Sequence, residues 1–379
     1  KGSKQEETSE NEEQGQTEQS RQTVAEENDA EQAKTAGNLE VHFIDVGQGD
    51  ATLIKCDGHS MLIDAGNNDK GTLVQNYLQH QGVETLDYVI GTHPDADHIG
   101  GMDVVLYKFD CKTIIMPDVA NNTRTYDVVQ TMKNKGYKTT YPVVGETYTI
   151  GGATFTIIAP NKEYGNDMNS WSVGVLLQNG NHRFLFTGDA EEGAEQDILQ
   201  NGIDISADVY KVAHHGSNTA TSQAFLDAVH PTYAVISAGE GNSYGHPHAE
   251  VLNRLRAAGV SVFRTDEQGT IVAASDGTTL TWNMSPSESW QAGEAKKSQN
   301  TEKSEKAADN QNNAETDAAV SNPTDQTDGN SDVIVHITKT GEKYHSAGCQ
   351  YLRQSDIEVT LSEAKARGLT PCSKCNPPQ

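Results

Sequence analysis

A cluster of metal-ligating side chains after one predicted strand limits the folds open to this 379-residue chain. The cluster is the segment THPDADHIGG at 92–101, which has two histidines and two aspartates within six positions, followed by two glycines. The run before it, LDYVIG (86–91), is apolar and β-branched, so it predicts a buried strand. Because α/β proteins carry their chemistry at strand ends, the pattern favours an α/β fold with a metal site at the edge of a sheet.

Composition divides the chain into two folded parts and two polar tethers. Residues 1–38 and 285–331 are dominated by small polar and charged residues and contain almost no large apolar side chains. They cannot bury enough surface to offset their chain entropy, so both are predicted to be disordered. The predicted folded domains are therefore residues 39–284 and 332–379, in line with a length beyond that of one compact core.

The net charge of -26 is concentrated in the tethers and in the first folded domain. Residues 39–284 carry a net charge of -16, a poor electrostatic basis for holding nucleic acid by the surface. Bound divalent cations would offset part of that charge locally. No apolar run has the length of a membrane span, and the polar segment that begins KGSK favours a secreted or lipid-anchored bacterial protein.

Hydrophobic patterning predicts two sheets packed together with helices outside. The predicted strands are 39–46, 51–56, 61–66, 86–91, 112–117, a β stretch over 139–159, a hairpin turning at Asn179, Gly180 and Asn181, 207–213 and 233–239. The predicted helices are 72–82, 123–136, 190–201 and 220–229.

Three further groups of candidate ligands follow predicted strands. They are Asp189 in FLFTGDA, His214 or His215 in KVAHHGS, and His246 or His248 in YGHPH. Any one of them alone would equally suit a turn or a solvated carboxylate. Together with the 92–101 cluster they predict a metal centre.

These motifs resemble those of the metallo-β-lactamase superfamily, whose hallmark is a His-x-His-x-Asp-His loop followed by Gly-Gly. The resemblance covers about 39–284, where THPDADHIGG, TGD and HHGS occur in the family's order. The chain is more narrowly similar to the extracellular hydrolase domain of ComEC-type competence proteins, which share DVGQGDA (45–51), LIDAG (62–66) and YGHPH. The resemblance implies a four-layer αββα sandwich with a dinuclear metal site.

The resemblance also implies a role for each candidate ligand. His93 and Asp95 would ligate the first metal, Asp97 and His98 the second, and Asp189 would bridge them, with His214 completing the second site and His215 as its alternative. Two positions depart from the broad pattern. Asp95 stands where most members have His, and MNSWS (168–172) stands where a third-motif His is expected, so Asn169 would ligate weakly or leave that position to water. Carboxylate and amide ligands favour Mn²⁺ or Mg²⁺ over Zn²⁺, so manganese is expected, with zinc as the alternative.

A dinuclear site of this kind suits phosphodiester cleavage by a bridging hydroxide. Asp97 would hold both an ion and the nucleophilic water. His248 would contact a phosphate or protonate the leaving alkoxide, or else cap the helix that follows it. Asp50 and Asp64 are expected to support the ligands, although a tight-turn role suits Asp50 equally. His246 is grouped with these supporting residues.

Three of the five cysteines lie near the C-terminus and predict a second metal site. His345, Cys349, Cys372 and Cys375 have the paired short spacings of a closed structural zinc site. A domain of about 48 residues has little core, so a metal would stabilise it. The segment resembles Ada-type zinc modules appended to secreted bacterial hydrolases. Cys56 and Cys111 are expected to be core or edge residues.

The leading functional hypothesis is a surface or secreted, metal-dependent deoxyribonuclease linked to DNA uptake or scavenging. Its DNA substrate comes from the resemblance, because the ligands alone support only a dinuclear hydrolase. One alternative is a phosphodiesterase that acts on small molecules or on cell-wall phosphocholine. Another is a non-catalytic surface binding protein. A monomer is expected, with a cell-wall association or a membrane channel encoded elsewhere as candidate partners.

Overall fold

The computed structural model describes residues 36–119, 123–294, 334–338, 343–346, 349–352, 357–366, 369–372, 374–375 and 377. Most of both predicted tethers therefore lies outside the described residues. The chain divides into two compact units, residues 1–301 and 302–379.

The described strands of the first unit form two sheets. In chain order they are β1 (Leu39–Phe43), β2 (Thr52–Cys56), β3 (His59–Ile63), β4 (Thr85–Ile90), β5 (Asp110–Ile115), β6 (Thr139–Thr140), β7 (Thr147–Ile150), β8 (Ala153–Ala159), β9 (Gly174–Asn179), β10 (His182–Phe186), β11 (Val209–Lys211), β12 (Tyr233–Ile236), β13 (Ser261–Arg264), β14 (Ile271–Ser275) and β15 (Leu280–Trp282). One sheet has the order β15-β14-β1-β2-β3-β4-β5-β6, and the other has the order β13-β12-β11-β10-β9-β8-β7.

Helices and short 3-10 turns connect these strands. The described helices are α1 (Gly71–His80), α2 (Ala96–Ile99), α3 (Met102–Lys108), α4 (Thr123–Lys135), α5 (Glu192–Gln200), α6 (Gln223–Val229), α7 (Ala249–Ala257) and α8 (Thr265–Gln268). The 3-10 turns span Asn169–Trp171 and Ala213–Gly216.

Side-chain alternation along the strands creates four layers. Phe184 and Phe186 of β10 face the core between the two sheets, whereas Leu185 faces a second core under α5, α6 and α7. Helices α1, α3 and α4 cover a third core on the outer face of the first sheet, where Leu78 and Leu106 are fully buried. The four-layer αββα sandwich is therefore confirmed.

The parallel strands of both sheets bring the predicted ligand loops to one edge. Strands β3, β4 and β5 pair in parallel, as do β10, β11, β12 and β13. The loops after β4, β10, β11 and β12 carry the His and Asp motifs, so the carboxyl ends of the strands gather them. A backbone hydrogen bond of 2.9 Å from Val173 N to Thr92 O joins loops of the two sheets.

The first folded unit extends past residue 284, where the sequence predicted a disordered linker to begin. Residues 285–294 are described, and Trp290 packs against the core under α7 with the guanidinium of Arg256 5.4 Å from its ring centre. Arg264 Nη1 donates to Gln291 O over 2.6 Å, and Gly293 N donates to Pro247 O over 2.9 Å. The packing of Trp290 therefore attaches this segment to the fold, although its neighbouring residues are mostly polar.

The second unit contains a small four-stranded sheet in the order β18-β16-β17-β19. Its elements are β16 (Ile334–Ile337), β17 (Lys343–His345), a 3-10 turn at Gln350–Leu352, β18 (Ile357–Thr360), α9 (Leu361–Ala366) and β19 (Thr370–Pro371). Among the described residues of this unit, the buried apolar core consists of Val335, Ile337, Tyr344, Val359, Leu361 and Ala364. Such a core is small for a stable domain without a further crosslink. Across the described parts of both units, none of the helices combines the length and apolarity needed to traverse a bilayer.

Candidate metal centre

The loop after β4 docks onto the end of β3 through its two glycines. A Cβ on Gly100 would collide with the carbonyl oxygen of Ala96, and a Cβ on Gly101 would collide with that of Ala65. Glycine at both positions allows Ala65 N to donate to His98 O over 2.7 Å. The Gly-Gly pair is thus the local reason that α2, with its Asp and His residues, lies against the strand ends.

Asp64 orients the imidazole of His98. The Asp64 carboxylate accepts hydrogen bonds from Thr92 N (2.8 Å) and Thr92 Oγ1 (2.7 Å). Its Oδ2 lies 2.8 Å from His98 Nδ1, which must donate because a carboxylate oxygen only accepts. Burial opposes a charge on His98, but Asp189 and Asp64 outweigh it and raise the pKa of its imidazole. The two carboxylates therefore stabilise a positive charge at this imidazole.

His215 brings a second imidazole nitrogen to the same point. Its Nδ1 donates to the carbonyl oxygen of Ser237 over 2.9 Å, which leaves Nε2 pointing away from the backbone. His215 Nε2 lies 3.3 Å from His98 Nε2, and both rings are almost fully buried. His215 has a backbone φ of 54°, in the left-handed region that non-glycine residues rarely adopt, so the turn holds this orientation against a conformational cost.

Two carboxylates complete this cluster. Asp189 Oδ1 lies 3.1 Å from His98 Nε2 and Asp189 Oδ2 lies 3.4 Å from His215 Nε2. Asp97 Oδ2 lies 3.3 Å from His215 Nε2. Burial opposes ionisation of Asp97, but the hydrogen bond from His215 and the charge of His98 lower its pKa to about 2. Ligand atoms of Asp50, His98, Asp189 and His215 all lie within 4.8 Å of one another.

The donor set fits a divalent cation. Asp189 Oδ1 is buried and accepts no hydrogen bond of good geometry among the described residues, although His98 Nε2 lies 3.1 Å away. Imidazole nitrogens that approach one another beside unpaired carboxylate oxygens are stabilised by a cation that accepts electron pairs from all of them. The hydrogen bonds that His98 donates to Asp64 and that His215 donates to the Ser237 carbonyl are of the kind that orients metal-ligating histidines.

His93 and Asp95 lie beside this cluster. The ring centre of His93 is 4.2 Å from that of His98, and its Nδ1 is 3.1 Å from Thr92 Oγ1. His93 Nε2 is buried without a hydrogen-bond partner among the described residues and lies 3.7 Å from Asp95 Oδ2. A second cation would satisfy this buried nitrogen and the half-exposed carboxylate beside it.

His214 and Asn169 lie at the rim, where Glu191 connects them. Glu191 Oε1 accepts hydrogen bonds from Asn169 Nδ2 (3.3 Å) and Thr219 Oγ1 (3.0 Å) and lies 3.2 Å from His214 Nδ1. His214 Nε2 is 3.7 Å from the nearest oxygen of Asp189. The doublet is therefore oriented with His215 inward and His214 outward, the reverse of the preference taken from the resemblance. Glu191 was not singled out from the sequence, although it follows Asp189 by two positions.

A buried ion pair between Asp50 and Lys211 lies beside His215, on the side of the centre that faces the protein interior. Lys211 Nζ donates to Asp50 Oδ2 over 2.8 Å and to Val212 O over 3.1 Å. Asp50 Oδ1 lies 3.4 Å from His215 Nδ1. Burial raises the pKa of Asp50, but the charges of Lys211 and His215 outweigh it and lower the pKa well below its usual range.

His246 lies next to the rings of His214 and His215, and His248 lies next to His246. His248 Nδ1 accepts a hydrogen bond from Asn218 N (3.0 Å), and its Nε2 donates to Tyr244 O (3.2 Å), so both ring nitrogens hold backbone groups. The residue also precedes α7 as its N-cap, without a side-chain capping bond. Burial, followed by the charges of His215 and other histidines, lowers the pKa of His246 to about 4. The imidazole of His246 is therefore neutral near pH 7.

The second unit contains a separate cluster of soft ligands. The ligand atoms of His345, Cys349, Cys372 and Cys375 lie within 4.8 Å of one another. His345 Nδ1 is 3.2 Å from Cys349 Sγ. Backbone N–H groups donate to two of the sulfurs, from Lys374 N to Cys372 Sγ (3.5 Å) and from Ser346 N to Cys375 Sγ (3.4 Å). The five cysteines, all at described positions, are free thiols, so this cluster is suited to a cation rather than to a disulfide.

Comparisons with known proteins agree with the fold and the motifs. The family described as the metallo-beta-lactamase superfamily matches residues 44–240. The chain is 31% identical over 255 residues to ComE operon protein 3 of Bacillus subtilis, covering 61% of this chain and 32% of that protein. It is 33% identical over 237 residues to Recombination protein 2 of Haemophilus influenzae, covering 61% and 28%. Competence protein ComA of Neisseria gonorrhoeae is 30% identical over 229 residues, covering 60% and 31%.

These matches span about a third of the length of the curated relatives. Among solved structures, the metallo-beta-lactamase fold protein YhfI of Bacillus subtilis is 13% identical with a TM-score of 0.45. The similarity covers 62% of this chain and 100% of that one.

Proposed function

Because the chain belongs to the metallo-β-lactamase superfamily, we propose that it is a metal-dependent phosphodiester hydrolase that cleaves DNA at the surface of a bacterial cell. The observation that carries the proposal is the convergence of His98 Nε2 and His215 Nε2, 3.3 Å apart, on the buried carboxylate of Asp189, at 3.1 Å from Oδ1 and 3.4 Å from Oδ2. A cluster with this degree of preorganisation supports a hydrolase more strongly than it supports a scaffold without catalytic activity.

In this proposal the ligands divide into two groups that share Asp189. His93 and Asp95 would hold one divalent cation, while Asp97, His98 and His215 would hold the other. His215 replaces His214 in this assignment because His214 lies at the rim with Glu191 and Asn169. Three carboxylates against three imidazoles make a harder donor set than a histidine-rich site, so Mn²⁺ is favoured and Zn²⁺ is the alternative.

Two cations at this centre would supply an activated water and offset negative charge on the phosphoryl oxygens. Asp97 has a pKa of about 2 and is ionised near neutral pH, so its carboxylate can accept a hydrogen bond from the attacking water. His246 is neutral near pH 7, and its buried ring lies 6.1 Å from that of His215. His248 positions the Tyr244 carbonyl and Asn218 rather than carrying a free proton toward a leaving group.

The names of two relatives refer to competence or recombination, which supports a role in competence, while DNA as the substrate follows from the resemblance of the motifs. The charge of -16 on residues 39–284 favours a second candidate, a phosphodiesterase for small molecules or for cell-wall phosphocholine. In the second unit, a structural Zn²⁺ held by the Cys and His cluster would stabilise a small domain. Residues 333–379 carry a net charge of +2, which suits contact with DNA or cell wall.

The test uses the full chain, stripped of metal with a chelator and restored with Mn²⁺, Mg²⁺ or Zn²⁺. Fluorescent single- and double-stranded DNA, bis(p-nitrophenyl) phosphate and a phosphocholine ester are the substrates. Asp97→Ala and Asp189→Ala are expected to reduce DNA cleavage to background. The matched control is Asp227→Ala, because Asp227 is an exposed residue of α6 whose carboxylate accepts a hydrogen bond from Gln223 Nε2 (2.7 Å) on the same helix.

Metal-dependent cutting that both site variants lose and the control retains would support the nuclease. Turnover of the phosphocholine ester without cutting of DNA would favour the second candidate. Activity that survives in both site variants would exclude this centre as the catalytic one.

A further inference from the structure

A line of stacked rings runs from the candidate metal centre to the protein surface. The ring of His246 lies 6.1 Å from that of His215 at an interplanar angle of 26°. The ring of Tyr244 lies 5.5 Å from that of His246 at an angle of 17°. Tyr244 is 63% exposed, so the line ends in an aromatic ring that solvent reaches. We call Tyr244, His246 and His215 the ring stack.

The loop that carries Tyr244 is held rigidly by Asn242. Asn242 Oδ1 accepts from Tyr244 N (3.1 Å) and His246 N (3.0 Å). Its Nδ2 donates to Gly239 O (2.9 Å) and His246 O (2.7 Å). With His248 Nε2 donating to Tyr244 O, the backbone on both sides of the exposed ring is satisfied. These hydrogen bonds therefore fix the backbone of the loop, although the Tyr244 side chain does not pack in the core of the domain.

Exposure of Tyr244 distinguishes it from a residue that stabilises the fold. A large aromatic ring contributes to stability by leaving water, and Tyr244 keeps most of its surface in water. The exposed large hydrophobic side chains described in the first unit also include Leu73, Tyr107, Tyr141 and Val143. Among these, Tyr244 is the one whose ring stacks on the ring of a residue at the centre.

The charge of the domain determines which contacts can hold a nucleic acid there. With a net charge of -16 over residues 39–284, the domain gains little from long-range attraction to phosphates. Stacking of a base on an aromatic ring does not depend on charge and tolerates every base, because each base has a π-face. In a duplex, both faces of a base are covered by its neighbours, so only an unpaired or extruded base can use such a ring.

We propose that Tyr244 is a stacking site for an unpaired nucleobase next to the phosphodiester at the metal centre, which gives the enzyme a preference for single-stranded over duplex DNA. This inference rests on the proposed nuclease function and identifies the form of its substrate. Tyr244 acts here as a specificity residue, while the ligands of the centre carry out the chemistry.

The test compares Tyr244→Ala, Tyr244→Leu and Tyr244→Phe in the full, metal-loaded chain. The substrates are a single strand, the matching duplex and a single strand whose bases around the cleavage site are abasic. Tyr244→Ala and Tyr244→Leu are expected to raise KM for the intact single strand about tenfold with kcat nearly unchanged. Tyr244→Phe keeps the ring and is expected to behave like the unsubstituted chain.

The abasic strand separates stacking from a structural role of the ring. The unsubstituted chain should cleave it with a raised KM, and Tyr244→Ala should produce no further increase. The matched control is Tyr107→Ala, which removes a ring of similar exposure (67%) on α3 and should leave every KM unchanged.

An unchanged KM for the intact single strand in Tyr244→Ala would overturn the inference while leaving the nuclease intact. A fall in kcat of Tyr244→Ala that is equal for the intact and the abasic strand would also overturn the inference, because that result would indicate a structural role of the ring. If the unsubstituted chain cleaves neither form of DNA with any of the three metals, the proposed function fails and the inference fails with it.

Discussion

Lys211 Nζ donates to Asp50 Oδ2 over 2.8 Å, and the two side chains, 161 positions apart in the chain, are only 3% and 7% exposed. The pair joins the turn before β2 to the end of β11, so it connects the two sheets on the inner side of the metal centre. A buried carboxylate beside buried imidazoles needs a compensating charge, and Lys211 supplies it without occupying a ligand position.

Lys211→Met is expected to lower the free energy of unfolding by about 3–5 kcal/mol, because it leaves the Asp50 carboxylate buried without its partner. Urea denaturation of the metal-free chain measures the loss. The control is Lys55→Met, which breaks the more exposed pair with Glu40 (3.3 Å) and should cost less than about 1 kcal/mol. Adding Asp50→Asn to Lys211→Met should recover part of the lost stability. Equal losses in Lys211→Met and in the control Lys55→Met would contradict the prediction.

Asp64→Asn is expected to weaken metal binding about 10- to 100-fold, since it alters the partner that orients His98. Isothermal titration with Mn²⁺ measures the change. Asp87→Asn is the matched control, because Asp87 also accepts from a histidine (His59, 3.2 Å) and a backbone N–H (Ser60, 3.1 Å) but lies away from the centre. Unchanged affinity in Asp64→Asn would exclude His98 as a ligand oriented in this way.

The two histidines of the doublet should differ in metal binding. His215→Ala is expected to remove one bound divalent ion per chain from the first unit, because Nε2 of His215 faces His98, Asp97 and Asp189. His214→Ala is expected to retain both ions, because its ring lies at the rim with Glu191. Elemental analysis after dialysis gives the stoichiometry, and the opposite result would restore His214 as the ligand.

Cys372→Ser is expected to reduce the zinc content of the full chain by one equivalent and to increase proteolysis within residues 302–379. The Cys and His cluster is the main crosslink available to a unit with so small a core. Cys56→Ser is the control, because Cys56 is a buried thiol of the first unit outside both clusters. Equal zinc content in the two variants would show that the cluster does not hold a zinc ion.

Local patterns predicted much of the fold and of the candidate centre. The predicted strands 39–46, 51–56, 86–91 and 112–117 correspond to β1, β2, β4 and β5, and the predicted helix 72–82 corresponds to α1. Alternation and helical spacing are properties of neighbouring residues, so the sequence contains them directly. Composition failed at residues 285–294, because a single Trp290 that packs on α7 is invisible in an average over a polar segment.

The sequence by itself determined that a buried strand ends in the His and Asp segment 92–101, that similar ends recur after β10 and β11, and that four soft ligands are paired near the C-terminus. Only the tertiary structure decided that His215 rather than His214 turns inward, that Lys211 pairs with Asp50, and that Tyr244 ends a stack of rings. Residues adjacent in a doublet have the same sequence context. Their directions depend on left-handed backbone angles and on which distant strands pack beside them.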